Sequence, residues 1–284
     1  MDPLSLLRRA GVTIDSSAAI EYGTQYRVSR GGEKAIVNVY QGKKGTRVVV
    51  QMNTPLAAEL RGLLEAPKAP AEIVDVPTWP CWIGSDESGK GDFFGPLTVA
   101  AVGLTTESAA KIAGWRVRDS KTMSESAILE LDQKIRDTLP FKLVGWMPDE
   151  YNRRYERARS INALLGQAHA EAIQAVFAKL PDARAAVVDQ FGDEGHVERA
   201  LGVKLRLEQR PKADVTDLAV SAASVVARAA FVRGMAKLEK EWGLPLHKGA
   251  GPEVVENARA FLARHGREKL GAVAKLHFKT ASQL

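Results

Sequence analysis

Two near-continuous apolar runs, Phe93 to Leu104 and Ala183 to Val188, constrain this chain more than any other feature. A strand with one face in water alternates apolar and polar residues. These runs do not alternate, so they read as strands covered on both faces. Helices have to supply that cover, and strong helical patterns span Ser124 to Leu139, Ser160 to Leu180, Thr216 to Trp242 and Pro252 to His265. With Phe141 to Trp146 as a further strand, the chain from Trp82 onward predicts an α/β fold around a mixed central sheet. At 284 residues, 45% of them apolar, it can bury a sizeable core. No uncharged apolar run approaches the roughly 18 residues of a membrane span; the longest, Phe93 to Thr106, is interrupted by Gly95, Pro96 and three threonines. The N-terminus lacks the apolar stretch of a signal peptide. Cys81 is the only cysteine, which excludes an internal disulfide and a thiolate zinc site. The expectation is a soluble, cytoplasmic protein with no membrane association.

Residues 1–65 read as a separate small α/β domain. Leu4 to Arg9 predicts a short helix. Gln25–Val28, Ala35–Tyr40 and Arg47–Gln51 predict strands, with turns at Gly31-Gly32 and at Gly42 to Gly45. Thr54 and Pro55 then open a helix to Leu64 as N-cap and first residue. Residues 66–78 are proline-rich and read as a linker, which leaves 79–284 as the second domain. Charge is uneven over this plan. Tyr22 to Val50 holds six Lys/Arg against one Glu, and residues 204–284 hold 15 Lys/Arg against 8 Asp/Glu, whereas residues 76–203 hold 15 against 18. Two basic zones flanking an acidic middle suit a polyanion gripped at the edges around metal-binding carboxylates. They equally suit a mildly basic soluble enzyme.

The chemistry concentrates in Gly84-Ser85-Asp86-Glu87-Ser88-Gly89-Lys90-Gly91-Asp92. Gly84 and Gly89-Lys90 have the spacing of a phosphate-binding P-loop. However, Gly91 stands where the magnesium-holding Ser/Thr belongs, and Asp86 and Glu87 would repel the phosphates. Two carboxylates at the edge of a buried run instead offer oxygen ligands to a hard divalent cation, provided the strand ends or becomes irregular there. A polar turn is the alternative. Asp189 ends the second apolar run, where open sheets bind ligands and where an acid also caps turns. Asp214 precedes the helix starting near Thr216, so it is either a ligand or that helix's N-cap. His169 reads as a packed, hydrogen-bonded histidine rather than a proton shuttle.

Taken together, these segments resemble the type 2 ribonucleases H in the form of bacterial ribonuclease HIII. Gly84 to Pro96 carries the signature. It is followed in family order by Asp119-Ser120-Lys121, Tyr151-Asn152 with Asn162 and His169, Val188-Asp189-Gln190-Phe191, Lys212-Ala213-Asp214 with Ser221 to Ser224, and Lys275 to Lys279. The resemblance implies a ribonuclease H-like catalytic domain preceded by a small domain similar to a TATA-box-binding-protein repeat. It also implies hydrolysis of the RNA strand of RNA/DNA hybrids to 5′-phosphate and 3′-hydroxyl ends. Asp86, Glu87, Asp189 and Asp214 would hold two Mg2+ ions, with Mn2+ as a substitute. Gly89, Lys90 and Gly91 would contact the substrate, with Lys121 and Ser221 as phosphate contacts. Many ribonuclease HIII members have Glu at the place of Asp214, which bears on the choice between magnesium and manganese. No obligate protein partner is implied, and a monomer is expected. The rival readings are cleavage beside single ribonucleotides in duplex DNA, in the manner of ribonuclease HII, and a non-catalytic hybrid-binding protein.

Overall fold

The computed structural model describes residues 7, 10–42, 45–52, 54–64, 79–115, 117, 123–192 and 195–284. The chain divides into two compact units, Met1–Glu72 and Ile73–Leu284. The expected linker at 66–78 lies outside the described residues, as do Lys121 and, apart from the buried helical Leu7, the predicted helix from Leu4 to Arg9.

In the first unit four strands form an antiparallel sheet in chain order: β1 (Thr13–Ile20), β2 (Gly23–Arg30), β3 (Glu33–Gly42) and β4 (Gly45–Gln51). Helix α1 (Pro55–Leu64) begins as its sequence predicts, with the Thr54 hydroxyl accepting the Ala57 N–H at 3.1 Å. Its Leu56, Ala57, Leu60 and Leu64 pack on Val28, Ala35, Val37, Val39 and Val50. Strand β1 was not predicted. Its residues are almost all exposed and show no apolar alternation, so pairing with β2 alone defines it.

The second unit is built on a five-stranded mixed sheet. Its strands are β5 (Cys81–Ser88), β6 (Leu97–Thr105), β7 (Phe141–Trp146), β8 (Ala185–Asp189) and β9 (Arg206–Arg210), in the spatial order β7-β6-β5-β8-β9. Strands β5, β6 and β7 pair antiparallel, whereas β8 and β9 extend the sheet in parallel. One face is covered by α2 (Thr106–Ile112), α3 (Glu125–Thr138) and α8 (Leu218–Trp242); the other by α4 (Pro148–Ala158), α5 (Ile161–Phe177) and α6 (Gly195–Ala200). A short helix α7 (Ala213–Thr216) leads into α8, and α9 (Pro252–His265), α10 (Leu270–Val273) and α11 (Lys279–Ser282) close the chain. By length and composition α8 could cross a membrane, but 72% of its most apolar window is buried in the unit, where it lies against β5 and β6.

The first apolar run corrects its own prediction. The strand starts only at Leu97. Gly95 has a φ of +83°, and the residues before it turn away from the sheet. Phe93 and Phe94 are fully buried in a third cluster with Phe231, Phe261 and Val273. Backbone bonds from Phe93 N–H to Gly249 O and from Lys275 N–H to Phe93 O, both 2.8 Å, hold this turn against the C-terminal segment.

Candidate active site

Strand β5 has two different faces, as period-two alternation requires. Trp82, Gly84 and Asp86 look toward α8; Ile83, Ser85 and Glu87 look toward α5. The glycine at 84 is obligatory, because a Cβ there would lie 2.1 Å from Val220 N and 2.2 Å from Ala219 C. That close approach brings the start of α8, and the short helix before it, down onto the end of β5.

Of the two alternatives for the acid pair, a strand that ends or one that becomes irregular, the backbone shows the first: β5 ends at Ser88, directly after Glu87. Antiparallel pairing with β6 runs unbroken through Asp86↔Ala100, Glu87↔Val99 and Ser88↔Thr98. The neighbouring β8 ends earlier. Its parallel register with β5 stops at Ser85↔Val188, which leaves Asp189 beside Asp86 at the last step. Both acids therefore sit at the carboxyl ends of adjacent parallel strands.

Asp86 is 6% exposed. Burial pushes its carboxyl well above the ordinary range; the charge of Glu87 and then that of Asp189 add to the effect. Hydrogen bonds from the Ser224 hydroxyl and from the Glu87 N–H, the latter at 2.8 Å, oppose it. Asp189 Oδ1 accepts the Ala213 N–H at 2.7 Å, so the carboxylate ending β8 fixes the residue next to Asp214. Asp214 itself is buried on α7. It does not cap α8. That cap is Asp217, whose Oδ1 accepts the Ala219 and Val220 N–H groups at 2.9 and 3.0 Å and the Trp82 indole at 3.3 Å. The cap of α8 thus falls on an aspartate three residues after Asp214.

On the other face, the Glu87 carboxylate lies 3.3 Å from His169 Nε2 and 3.9 Å from Lys90 Nζ. His169 is fully buried and hydrogen-bonded, as its sequence context predicts. Lys90 donates to Phe191 O at 2.7 Å. Gly89 has a φ of +89°, and a Cβ would come within 2.2 Å of Pro96 O; a Cβ on Gly91 would meet nothing within 4 Å. Gly89 is therefore fixed by the fold, while Gly91 presents open backbone.

Ser221 corrects its expected role. It is fully buried in the first turn of α8, and its hydroxyl lies 2.7 Å from both Asp214 O and Asp217 O. It ties α7 to α8 and does not reach a surface where phosphate could bind.

The donor set suits a hard divalent cation. It consists of carboxylate oxygens whose mutual repulsion a cation would relieve. Among the described residues, no three His, Cys, Asp or Glu side chains already converge on one point, so ligation requires the carboxylates to draw in.

A family model described as Ribonuclease HII matches residues 83–281. The chain belongs to the ribonuclease HII/HIII family. It is 39% identical over 201 residues to a ribonuclease HIII of Protochlamydia amoebophila, covering 70% of this chain and 66% of that one. It is 32% identical over 251 residues to a ribonuclease HIII of Bacillus subtilis, covering 84% and 79%. The crystal structure of Bst-RNase HIII in complex with Mn2+ superposes with a TM-score of 0.68 at 27% identity, covering 99% of this chain and 94% of that one. The family comprises ribonuclease H endonucleases, which are hydrolases that use divalent metal ions. The mixed five-stranded sheet and the N-terminal antiparallel sheet agree with the architecture expected from the sequence.

Proposed function

We propose that this chain hydrolyses the RNA strand of RNA/DNA hybrids, leaving 5′-phosphate and 3′-hydroxyl ends, with Asp86, Glu87, Asp189 and Asp214 as the ligands of two Mg2+ or Mn2+ ions. The observation that carries this reading is the placement of Asp86: buried, at the end of a central strand, and electrostatically opposed by Glu87 and Asp189. An arrangement that costs stability in the free protein makes sense where a cation completes it. When bound, such ions supply an activated water and neutralise charge on the phosphate and leaving oxygen.

The protein's own groups do the positioning. Asp86 faces α8 at the last step of β5 beside Asp189, with Asp214 buried on α7, and Glu87 faces α5; these four carboxylates would hold the ions. Asp189 holds α7 through Ala213 N–H, and Ser221 holds the Asp214 carbonyl. The open backbone at Gly91 permits close approach of a sugar–phosphate chain. Specificity for RNA requires a contact to the 2′-hydroxyl, and the Gly89-Lys90-Gly91 turn beside the acids is where we place it. The first unit, with Arg27 and Lys34 exposed on its sheet, serves to hold the hybrid.

The test uses two labelled substrates, a uniform RNA/DNA hybrid and duplex DNA with one embedded ribonucleotide, each with Mg2+ and with Mn2+. Cleavage at several positions in the hybrid, little beside the lone ribonucleotide and none by Asp86→Asn is the expected result. Preferential cutting at the lone ribonucleotide would move the specificity to that of ribonuclease HII. Hybrid binding without any cleavage would leave a binding protein.

A further inference from the structure

Helix α5 buries one polar side chain deep in an alanine- and leucine-rich interior, that of His169, with no exposed surface. A buried imidazole needs hydrogen-bond partners for both ring nitrogens. It finds them on one face of β5, two residues apart. Nδ1 lies 2.7 Å from Ser85 Oγ, and Nε2 lies 3.3 Å from Glu87 Oε2. Ser85 is itself anchored to the neighbouring strand, 2.8 Å from Ala100 O. The ring plane is fixed as well: Phe191 stacks on it at 4.9 Å with an interplanar angle of 7°. Phe191 follows Asp189 by two residues, so one imidazole joins the ends of both acid-bearing strands. Lys90 closes the circuit, 2.7 Å from Phe191 O and 3.9 Å from Glu87 Oε1.

We propose that His169 is a positioning residue that fixes the Glu87 carboxylate in the orientation in which it meets a metal ion, with Phe191 locking the imidazole plane. The proposal rests on the reading of Glu87 as a ligand. Glu87 has three rotatable side-chain bonds and partial exposure, whereas His169 is completely buried, hydrogen-bonded to Ser85 on the same face of β5 and stacked on Phe191. Lys90 is a flexible ammonium that substrate phosphate can draw away; the imidazole cannot move without breaking the Ser85 bond and the Phe191 stack. A histidine retained for packing alone would need neither the Glu87 contact nor the Ser85 anchor, and an aliphatic side chain of similar volume would serve.

The experiment measures Mn2+ binding to the full chain without substrate, by calorimetry or by the loss of the free-ion electron paramagnetic resonance signal. It is run alongside melting temperature and hybrid cleavage as a function of metal concentration. Outer partners of metal ligands typically govern about 10- to 100-fold in affinity. His169→Leu should weaken Mn2+ binding by about that factor and raise the metal concentration for half-maximal cleavage equally, leaving KM for the hybrid at saturating metal within about 2-fold. His169→Gln, whose amide can still donate toward Glu87, should recover affinity to within about 3-fold. A folded His169→Leu protein with wild-type Mn2+ affinity overturns the proposal, whatever its melting temperature. If His169→Leu does not fold, Phe191→Leu takes its place, with an expected loss of about 3-fold or more in Mn2+ affinity; wild-type affinity there overturns the proposal too. Glu87→Gln separates the two levels. If it binds Mn2+ and cleaves like wild type, the ligand reading has failed; if it is impaired while His169→Leu is not, only the positioning role has.

Discussion

A methyl group on Gly84 would meet the first turn of α8 head-on, 2.1 Å from Val220 N, 2.2 Å from Ala219 C and 2.7 Å from Ala219 Cβ. Ordinary contact begins near 3.4 Å, so the helix must retreat by about 1.3 Å, the difference between that limit and the 2.1 Å approach. Two of the three atoms are backbone and cannot swing aside. A gap of about 0.5–1 Å already forfeits a quarter to a half of the dispersion energy of the atom pairs it separates. Overpacking usually costs about 1–3 kcal/mol, and a clash with backbone belongs at the top of that range, about 3 kcal/mol. For a unit of this size that corresponds to a melting temperature lower by about 6–12 °C. Activity should fall as well, because α8 carries Asp214 with it through the Ser221 and Asp217 contacts. A misplacement of about 1 Å in a catalytic group costs on the order of 100-fold in rate. Calorimetric melting and hybrid cleavage at saturating Mg2+ measure both effects, with Gly114→Ala as the control, since that residue is exposed and a Cβ there meets nothing within 4 Å. A Gly84→Ala protein that melts within about 2 °C of wild type and cleaves normally would refute the reasoning, because it would mean the helix approach is not set by this contact.

Asp86→Asn should abolish cleavage yet raise the melting temperature of the metal-free protein at pH 8, because it removes a charge that burial and Glu87 oppose. In wild type the folded state keeps a proton there that the unfolded chain has released, so metal-free stability falls as pH rises above the ordinary carboxylate range; melts in EDTA at pH 5 and pH 8 should show this loss in wild type and not in the variant. Lys275 is fully buried against the carbonyls of Phe94, Gly95 and Pro96 at 3.3, 2.6 and 3.4 Å, and burial lowers its pKa from 10.5 to about 7. Between those values the unfolded chain holds a proton the native state has shed, so wild type should gain up to about 1.4 kcal/mol per pH unit relative to Lys275→Met; parallel urea-unfolding stabilities at pH 7, 8 and 9 would contradict this. Asp217→Ala should destabilise by about 1–2 kcal/mol through loss of the α8 cap, whereas Asp217→Asn, which keeps an acceptor oxygen, should cost far less in the same denaturant assay. Deleting residues 1–65 should weaken hybrid binding much more than single-turnover cleavage; the opposite result would end the assignment of binding to the first unit.

The parts of this protein that could be read in the sequence are those in which one segment's own pattern decides its fate. Uninterrupted apolar residues made β8 a buried strand, and Thr54-Pro55 and Ser124 opened α1 and α3 where they stand. Strands β1 and β9 escaped because they show no apolar alternation and exist as strands only through the neighbour they pair with. Phe93 and Phe94 misled because burial looks the same in sequence whether a residue lies in a sheet or in a turn packed under the C-terminal helices. Asp214 and Asp217 differ by less than one helical turn, and both precede an alanine-rich helix. Only the observed bonds to Ala219 and Val220 say which of them caps it. Ser221 was misread for a related reason: a hydroxyl near an acid motif can serve substrate or backbone, and composition does not separate the two. His169 did leave a trace. Ser85 and Glu87 are polar residues two apart on a strand that is otherwise buried, and the one histidine of α5 offers two ring nitrogens to meet them.

The two faces of β5 explain why a single strand can carry adjacent acids without an irregular backbone. A pleated strand sends Asp86 and Glu87 to opposite sides, so each acid draws its support from a different helix: Ser224 on α8 for Asp86, His169 on α5 for Glu87. Because β8 stops at Asp189, the flank of β5 beyond Ser85 has no strand beside it on that side, and a site can open there to carboxylates from both faces. The mutual repulsion of these acids in the metal-free protein is held in check by packing that has no other outlet. Gly84 lets α8 approach, Asp217 and Ser221 hold its first turn, and Asp189 pins Ala213. Burial, with the charges of Glu87 and Asp189 beside it, thus disfavours ionisation of Asp86, and the helices on either side hold the strand ends in place. A cation is the remaining relief, which is why the stability of this site and its affinity for metal should move in opposite directions when Asp86 loses its charge.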